Sequence, residues 1–339
     1  MKLALIAFST VLLAQSPTPD RVVAEWMLRM GGSVILEGQR RPLFDLVELP
    51  AGDFHIHTLN FTGITQWGVA LEYEMKRLPK VAHVKELYVN GRLWYDQPAT
   101  LVASTMAMLA ASTELEKVIL SKPVQTYIPF DDSAVKSLAP LSKLRELRVH
   151  QTRIPGAALA QFKLKHLDLN FDRTFNDRGM ATLAPMTDLT KLYLRGTSIT
   201  DAGLAHLEGL TQLTELDLAD TGVTDAGVAK LKGLTRLRRL NLQSANVSDA
   251  GISVLRNMPE IEELSLYRTK VSNAGIAHLS TLRKLRQIDL RYSRVTPAGV
   301  RELPSATKVL FLNASTRDAK RDAEVTSVMD KGDAAIAAW

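Results

Sequence analysis

Three groupings in the 339-residue sequence have residue types that could do chemistry. Asp168-x-Asn170-x-Asp172 spaces oxygen ligands like the opening of a calcium loop. Such a loop needs glycine at its sixth position and an acid at its twelfth; here they are Arg173 and Gly179. The run therefore reads as polar strand-and-turn sequence. His55-x-His57 puts two imidazoles on one face of an extended segment, but no third ligand accompanies them. His206 and His278 recur in one helical column and read as outer-face residues. There is no Gly-rich phosphate loop, nucleophile elbow or zinc-protease helix. Zero cysteines exclude a thiol nucleophile, a thiolate metal site and a disulfide scaffold. The expectation is a chain without catalysis, cofactor or metal.

What must position any remaining site is a repeat. Leu-x-x-Leu-x-Leu recurs at Leu189/Leu192/Leu194, Leu213/Leu216/Leu218, Leu237/Leu240/Leu242, Ile261/Leu264/Leu266 and Leu285/Ile288/Leu290, with starts 24 residues apart. Diverged copies lie at Leu164/Leu167/Leu169 and Leu310/Leu312. Weaker ones lie at Leu144/Leu147/Val149, Leu115/Val118/Leu120, Val84/Leu87/Val89 and Ile56/Leu59/Phe61, for about eleven rows. Each row predicts a short strand with its leucines on one side. An apolar column follows (Ile199, Val223, Val247, Val271, Val295), then helix N-caps (Thr200, Thr224, Ser248, Ser272, Thr296). Next come Asp201, Asp225, Asp249, Asn273 and Pro297, all suited to a first helical position. Gly203, Gly227, Gly251, Gly275 and Gly299 imply close approach of the neighbouring copy. Gly209, Gly233 and Asn257 are expected to end the helices in left-handed conformation. One such unit buries too little to fold alone, so the copies must stack.

The stretch from Thr200 to Thr221 resembles the leucine-rich-repeat family, in its bacterial form with Thr closing the strand. The likeness is strong over residues 144–312 and weaker over 55–143. It implies an α/β solenoid, curved, with a parallel sheet on the concave face and short helices on the convex face. It also implies binding and not a reaction. The family's Asn ladder is replaced by Thr197, Thr221, Thr269 and Ser293, with Ala245 breaking it.

Strand alternation gives the residues facing away from the leucines. They are His166/Asp168/Asn170, Lys191/Tyr193/Arg195, Glu215/Asp217/Ala219, Arg239/Asn241/Gln243, Glu263/Ser265/Tyr267 and Gln287/Asp289/Arg291. Charge sign alternates from row to row, so these side chains are placed to pair laterally across strands about 4.8 Å apart. Against that bland reading stand Tyr193, Arg195, Tyr267, Arg268, Arg291 and Tyr292, types enriched at binding hot spots. They are the candidate contacts for a protein or peptide on the concave face, with a polysaccharide as the second candidate ligand. A formal charge of +6 with alternating signs gives no coherent surface for nucleic acid.

Composition fits a soluble repeat array: 46% apolar, 23% charged. Residues 1–16 have the order of a secretory signal peptide, one Lys, an apolar run, then Ala14-Gln15-Ser16, which predicts export to periplasm, cell surface or medium. No membrane span is expected after its removal. Residues 17–54 are expected to form an N-terminal cap: Thr18 and Pro19 open a helix with Val22, Val23, Trp26, Met27 and Met30 on one face, Gly31-Gly32 ends it, and strands follow at Val34–Leu36 and Asp53–Phe61. Residues 313–339 read as a polar tail or the start of a further module, because Asp333–Trp339 echoes the spacing of Asp20–Trp26. In that second reading the chain is a targeting or interaction segment of a larger protein.

Overall fold

The computed structural model describes residues 16–64, 73–94, 98–110, 114–121 and 128–311. The proposed signal segment and polar tail lie outside them, but for Ser16. The chain divides into two compact units, Met1–Ile154 with Gln161–Leu164, and Pro155–Ala160 with Lys165–Trp339.

The first unit opens on helix α1, Pro19–Arg29, with the Thr18 hydroxyl accepting from the Arg21 N–H. Gly31 ends it at φ +86°, a left-handed position that suits glycine, and its N–H donates to the Leu28 carbonyl. The buried stripe is Asp20, Val23, Ala24, Met27 and Leu28; of the expected face Val23 and Met27 are buried, while Val22, Trp26 and Met30 are half-buried. The helix is rotated because Asp20 belongs inside. Its Oδ1 accepts the buried Ile56 N–H at 2.8 Å, and Oδ2 lies 3.7 Å from His55. Strand β1, Ser33–Leu36, pairs antiparallel with β2, Ile56–Asn60. Three parallel strands follow: β3 Glu86–Asn90, β4 Lys117–Ser121 and β5 Glu146–Val149. Their register sets Leu59, Leu87, Val118 and Leu147 side by side, all buried.

The described residues of the second unit form seven three-residue strands, β6 His166–Asp168, β7 Lys191–Tyr193, β8 Glu215–Asp217, β9 Arg239–Asn241, β10 Glu263–Ser265, β11 Gln287–Asp289 and β12 Lys308–Leu310. All pair parallel with their sequence neighbours. Leu167, Leu192, Leu216, Leu240, Leu264, Ile288 and Val309 form one line across the strands, and the first six are at most 3% exposed. This line is the core that no single copy could close.

Between strands the chain returns through a helical turn such as Asp201–Leu204, Asp225–Val228 or Asp249–Ile252, each running directly into a 3-10 segment. The 3-10 geometry rises about 2.0 Å per residue against 1.5 Å for an α-helix, so it spans the return with fewer residues. This corrects the expected helix ends: Gly233 and Asn257 lie inside the 3-10 segments, and neither they nor Gly209 has positive φ. The left-handed residue is instead at the other corner, just after the strand. Phe171, Gly196, Asp220, Ser244, Arg268 and Tyr292 occupy it in successive rows, with φ between 53° and 66°.

Two hydrogen-bond systems hold the rows. Within a row, the Thr197, Thr221, Thr269 and Ser293 hydroxyls each donate to the carbonyl three residues back at 2.6–2.7 Å. Ala245 keeps only its backbone bond to Leu242. Between rows, the Asp that starts each helical turn reaches the next row's N-cap. Asp201 accepts from the Thr224 N–H at 2.7 Å and hydroxyl at 2.6 Å. Asp177 binds Thr200 in the same way, Asp225 binds Ser248, and Asp249 binds Ser272. The last link is reversed in part: Asn273 accepts the Thr296 N–H, and its Nδ2 donates to the Thr296 hydroxyl. Thr296 consequently makes no N-cap hydrogen bond, unlike the four N-caps before it.

Candidate functional site

The strand face of the second unit is largely saturated by the protein itself. Glu215 is the centre of a lateral ladder, with Lys191 at 2.8 Å on one side and Arg239 at 3.7 Å on the other. Arg239 continues to Glu263 at 3.3 Å. The Tyr193 hydroxyl donates to Glu215, and its ring meets His166 edge-on at 5.1 Å. Burial pushes the Glu215 carboxyl up, but hydrogen bonds from Lys191 and Tyr193 and the nearby cations bring it below its ordinary value. These are the lateral pairs that the alternating signs imply.

That saturation relocates two of the six candidate contacts. Tyr193 is only 3% exposed, covered by its row neighbours. Arg195 is half-buried, donates from Nε to Asp220 at 3.0 Å and lies over the Phe171 ring. Both are tied into the fold, and the sequence reading that set them outward missed the size of the neighbouring side chains. His166, Asp168, Asn170, Asp217 and Asn241 are likewise buried.

The other four candidates stand together at rows β10 and β11. Tyr267 and Tyr292 meet edge-on with centroids 5.2 Å apart, and Arg291 lies over the Tyr267 ring at 5.3 Å. Arg291 also forms a two-point contact with Asp289, through Nε at 3.0 Å and Nη2 at 2.7 Å. This contact holds the guanidinium above even its usual high pKa, against the effect of burial. Tyr292 is 61% exposed and Arg268 is exposed. Both occupy the left-handed corner that follows each strand from β6 to β11. An Asx turn leads into it at β11, where Asp289 Oδ1 accepts the Arg291 N–H at 3.1 Å. Gly196 takes that corner at no conformational cost, whereas Arg and Tyr do not. The repeat fixes the backbone there while the side chain varies: Phe171 and Asp220 contact Arg195, and Tyr292 packs on Tyr267.

The other groupings are consumed by local structure. Asp168 accepts the Asn170 N–H, Asn170 accepts the Arg195 N–H, and Asp172 accepts from Thr174 and Phe175. His55 meets His83 at a tilt of 44° with ring centroids 4.0 Å apart, and His57 bonds to Thr58. His206 and His278 are half-buried, and His278 lies 3.4 Å from Arg256. Among the described residues no group of three or more His, Cys, Asp or Glu is arranged for a metal ion. None of the described helices is long and apolar enough to cross a membrane.

Comparison with known proteins agrees with this architecture. A leucine-rich-repeat family model matches residues 209–232 and 234–255. No curated protein matches the chain. Among solved structures, an internalin (inlF) from Listeria monocytogenes shares 22% identity over 69% of each chain, with a TM-score of 0.53. An internalin C2 (inlC2) from the same species shares 20% identity over 63% of this chain and 92% of that one, with a TM-score of 0.47.

Proposed function

We propose that this leucine-rich-repeat chain is a non-catalytic scaffold, exported from a bacterial cell, that binds a protein or peptide at the corner of rows β10 and β11. The observation that carries the reading is Tyr292, 61% exposed on a repeat-fixed corner and packed against Tyr267 beside two arginines. Large aromatics and arginines held rigid and solvent-facing are what hot spots are made of, because little entropy is lost when a partner covers them. Export rests on the order of charge and apolar residues in positions 1–16.

The test is capture from envelope material by immobilised full-length chain and its variants. Tyr267→Ala with Tyr292→Ala should reduce capture at least ~10-fold, the scale of losing more than about 1.4 kcal/mol at a hot spot, with the melting temperature unchanged. Tyr193→Ala should behave oppositely. It removes a buried ring and the hydroxyl on Glu215, so it should lower stability by about 3 kcal/mol. Undiminished capture by the double variant would reject the site.

A further inference from the structure

We infer that the partner meets this corner with an acidic peptide segment, a conclusion that rests on the interface proposed above and adds its chemistry. Rows β10 and β11 carry the sequences Tyr267-Arg268-Thr269-Lys270 and Arg291-Tyr292-Ser293-Arg294 at equivalent positions. Backbone hydrogen bonds align them. The Arg268 N–H donates to the Arg291 carbonyl at 3.0 Å, and the Arg294 N–H to the Val271 carbonyl at 2.8 Å. Arg268 therefore neighbours Tyr292, and Lys270 neighbours Arg294, one strand spacing of roughly 4.8 Å apart.

Along the strand face of these rows the cations alternate with carboxylates. Lys191, Glu215, Arg239 and Glu263 alternate, Lys284 pairs with Glu260 at 2.6 Å, and Arg291 pairs with Asp289. Arg268, Lys270 and Arg294, at the corner beside that face, have no such carboxylate. All three are exposed, and no salt bridge among the described residues involves them. Like charges on adjacent strands cost stability. The chain has the means to avoid this, because the same three-residue corner at β9 is Ser244-Ala245-Asn246 and at β8 is Asp220-Thr221-Gly222. The concentration extends to the whole end of the unit. Glu260 to Phe311 holds nine Lys and Arg against five Asp and Glu, a local +4 in a chain whose total is +6. A surface that repels itself and surrounds two tyrosines is complementary to carboxylates on an extended segment with apolar side chains between them.

The experiment is fluorescence anisotropy with a fluorescein-labelled glutamate-rich peptide containing tyrosine, titrated with full-length protein at two salt concentrations. Saturable binding is expected, weakening steeply with salt. The charge reversal Arg268→Glu, Lys270→Glu, Arg294→Glu should reduce affinity at least ~30-fold. The same change in net charge on the helix side, Lys230→Glu, Lys232→Glu, Arg236→Glu, should leave it within about 3-fold. Arg268→Ser, Lys270→Asn, Arg294→Asn installs the residue types of the β9 corner, so it should fold normally and still lose most of the binding. Equal losses in the two reversals would overturn the inference, since net charge alone would then be responsible. So would no peptide binding by the wild type, or tighter binding of heparin that survives Tyr292→Ala, which would assign the cations to a sulfated polysaccharide. If envelope capture still depends on Tyr267 and Tyr292 when the peptide does not bind, the interface stands and only its acidic chemistry falls.

Discussion

Gly227→Ala should destabilise the protein by about 2–4 kcal/mol, whereas Gly209→Ala should be neutral or stabilise it by up to about 1 kcal/mol. A Cβ at Gly227 would stand 2.3 Å from Asp201 Oδ1 and 3.1 Å from the Leu204 side chain. The methyl group can be admitted only if Asp201 moves. That carboxylate holds both the N–H and the hydroxyl of Thr224, so moving it unfastens one row from the next. The same relation repeats along the unit. A Cβ at Gly203, Gly251, Gly275 or Gly299 would lie 2.3–2.5 Å from the corresponding Oδ1 of Asp177, Asp225, Asp249 or Asn273. Gly209 has nothing within 4 Å and no positive φ, so alanine there only restricts the unfolded chain. Urea midpoints of the two variants decide it. A Gly227→Ala protein as stable as wild type would mean that the glycine column makes no room for the carboxylates.

The pairing of Asp with Gly also shows where sequence reasoning stopped short. The columns were visible, and each residue had a sound local role: Thr as cap, Asp on the helix dipole, Gly for proximity. The missing step was that one residue's role is in the next copy. Spacing of 23 between acceptor and donor carries that signal, since Asp201 binds Thr224 and Asp225 binds Ser248. A search for side-chain partners one repeat away, rather than three or four residues away, would have found it. The same limitation misplaced the left-handed corner. Gly209 and Gly233 look like helix stops by composition, yet the corner after the strand is held by Phe171, Asp220, Ser244, Arg268 and Tyr292, which share no residue type. Alternation treats Tyr193, Tyr267 and Arg291 alike, and it cannot see that Tyr193 fits under its neighbours. Lateral cover depends on side-chain volumes in three adjacent rows, which a two-residue period does not encode.

Asp217→Asn should stabilise the protein by about 1–3 kcal/mol at pH 7.5, and the advantage should vanish near pH 3.5. Asp217 lies on β8 between Tyr193 and Asn241 and is 3% exposed. Burial pushes its carboxyl up to about 6, although the Ala219 N–H donates to it at 2.9 Å and Arg195 and Asn241 favour the charged form. A folded-state pKa above the unfolded 3.8 means that the fold prefers the acid. The associated stability is complete below pH 3.8 and is lost as pH rises through 6, leaving an ionised carboxylate that opposes folding by about 3 kcal/mol. Asparagine carries no charge and keeps an oxygen for the Ala219 N–H, as Asn241 does for Gln243 in the next row. Its amide meets the Asn241 amide, which returns part of the gain. Glu215, two residues earlier on the same strand, works in the opposite sense. Its lowered pKa adds stability above pH 4.5 that is lost as the medium becomes acidic. Urea unfolding of wild type and Asp217→Asn at pH 3.5 and 7.5 isolates the Asp217 contribution, because every other group is common to both proteins. An Asn variant no more stable than wild type at pH 7.5 would mean that Arg195 and Asn241 compensate the buried charge in full.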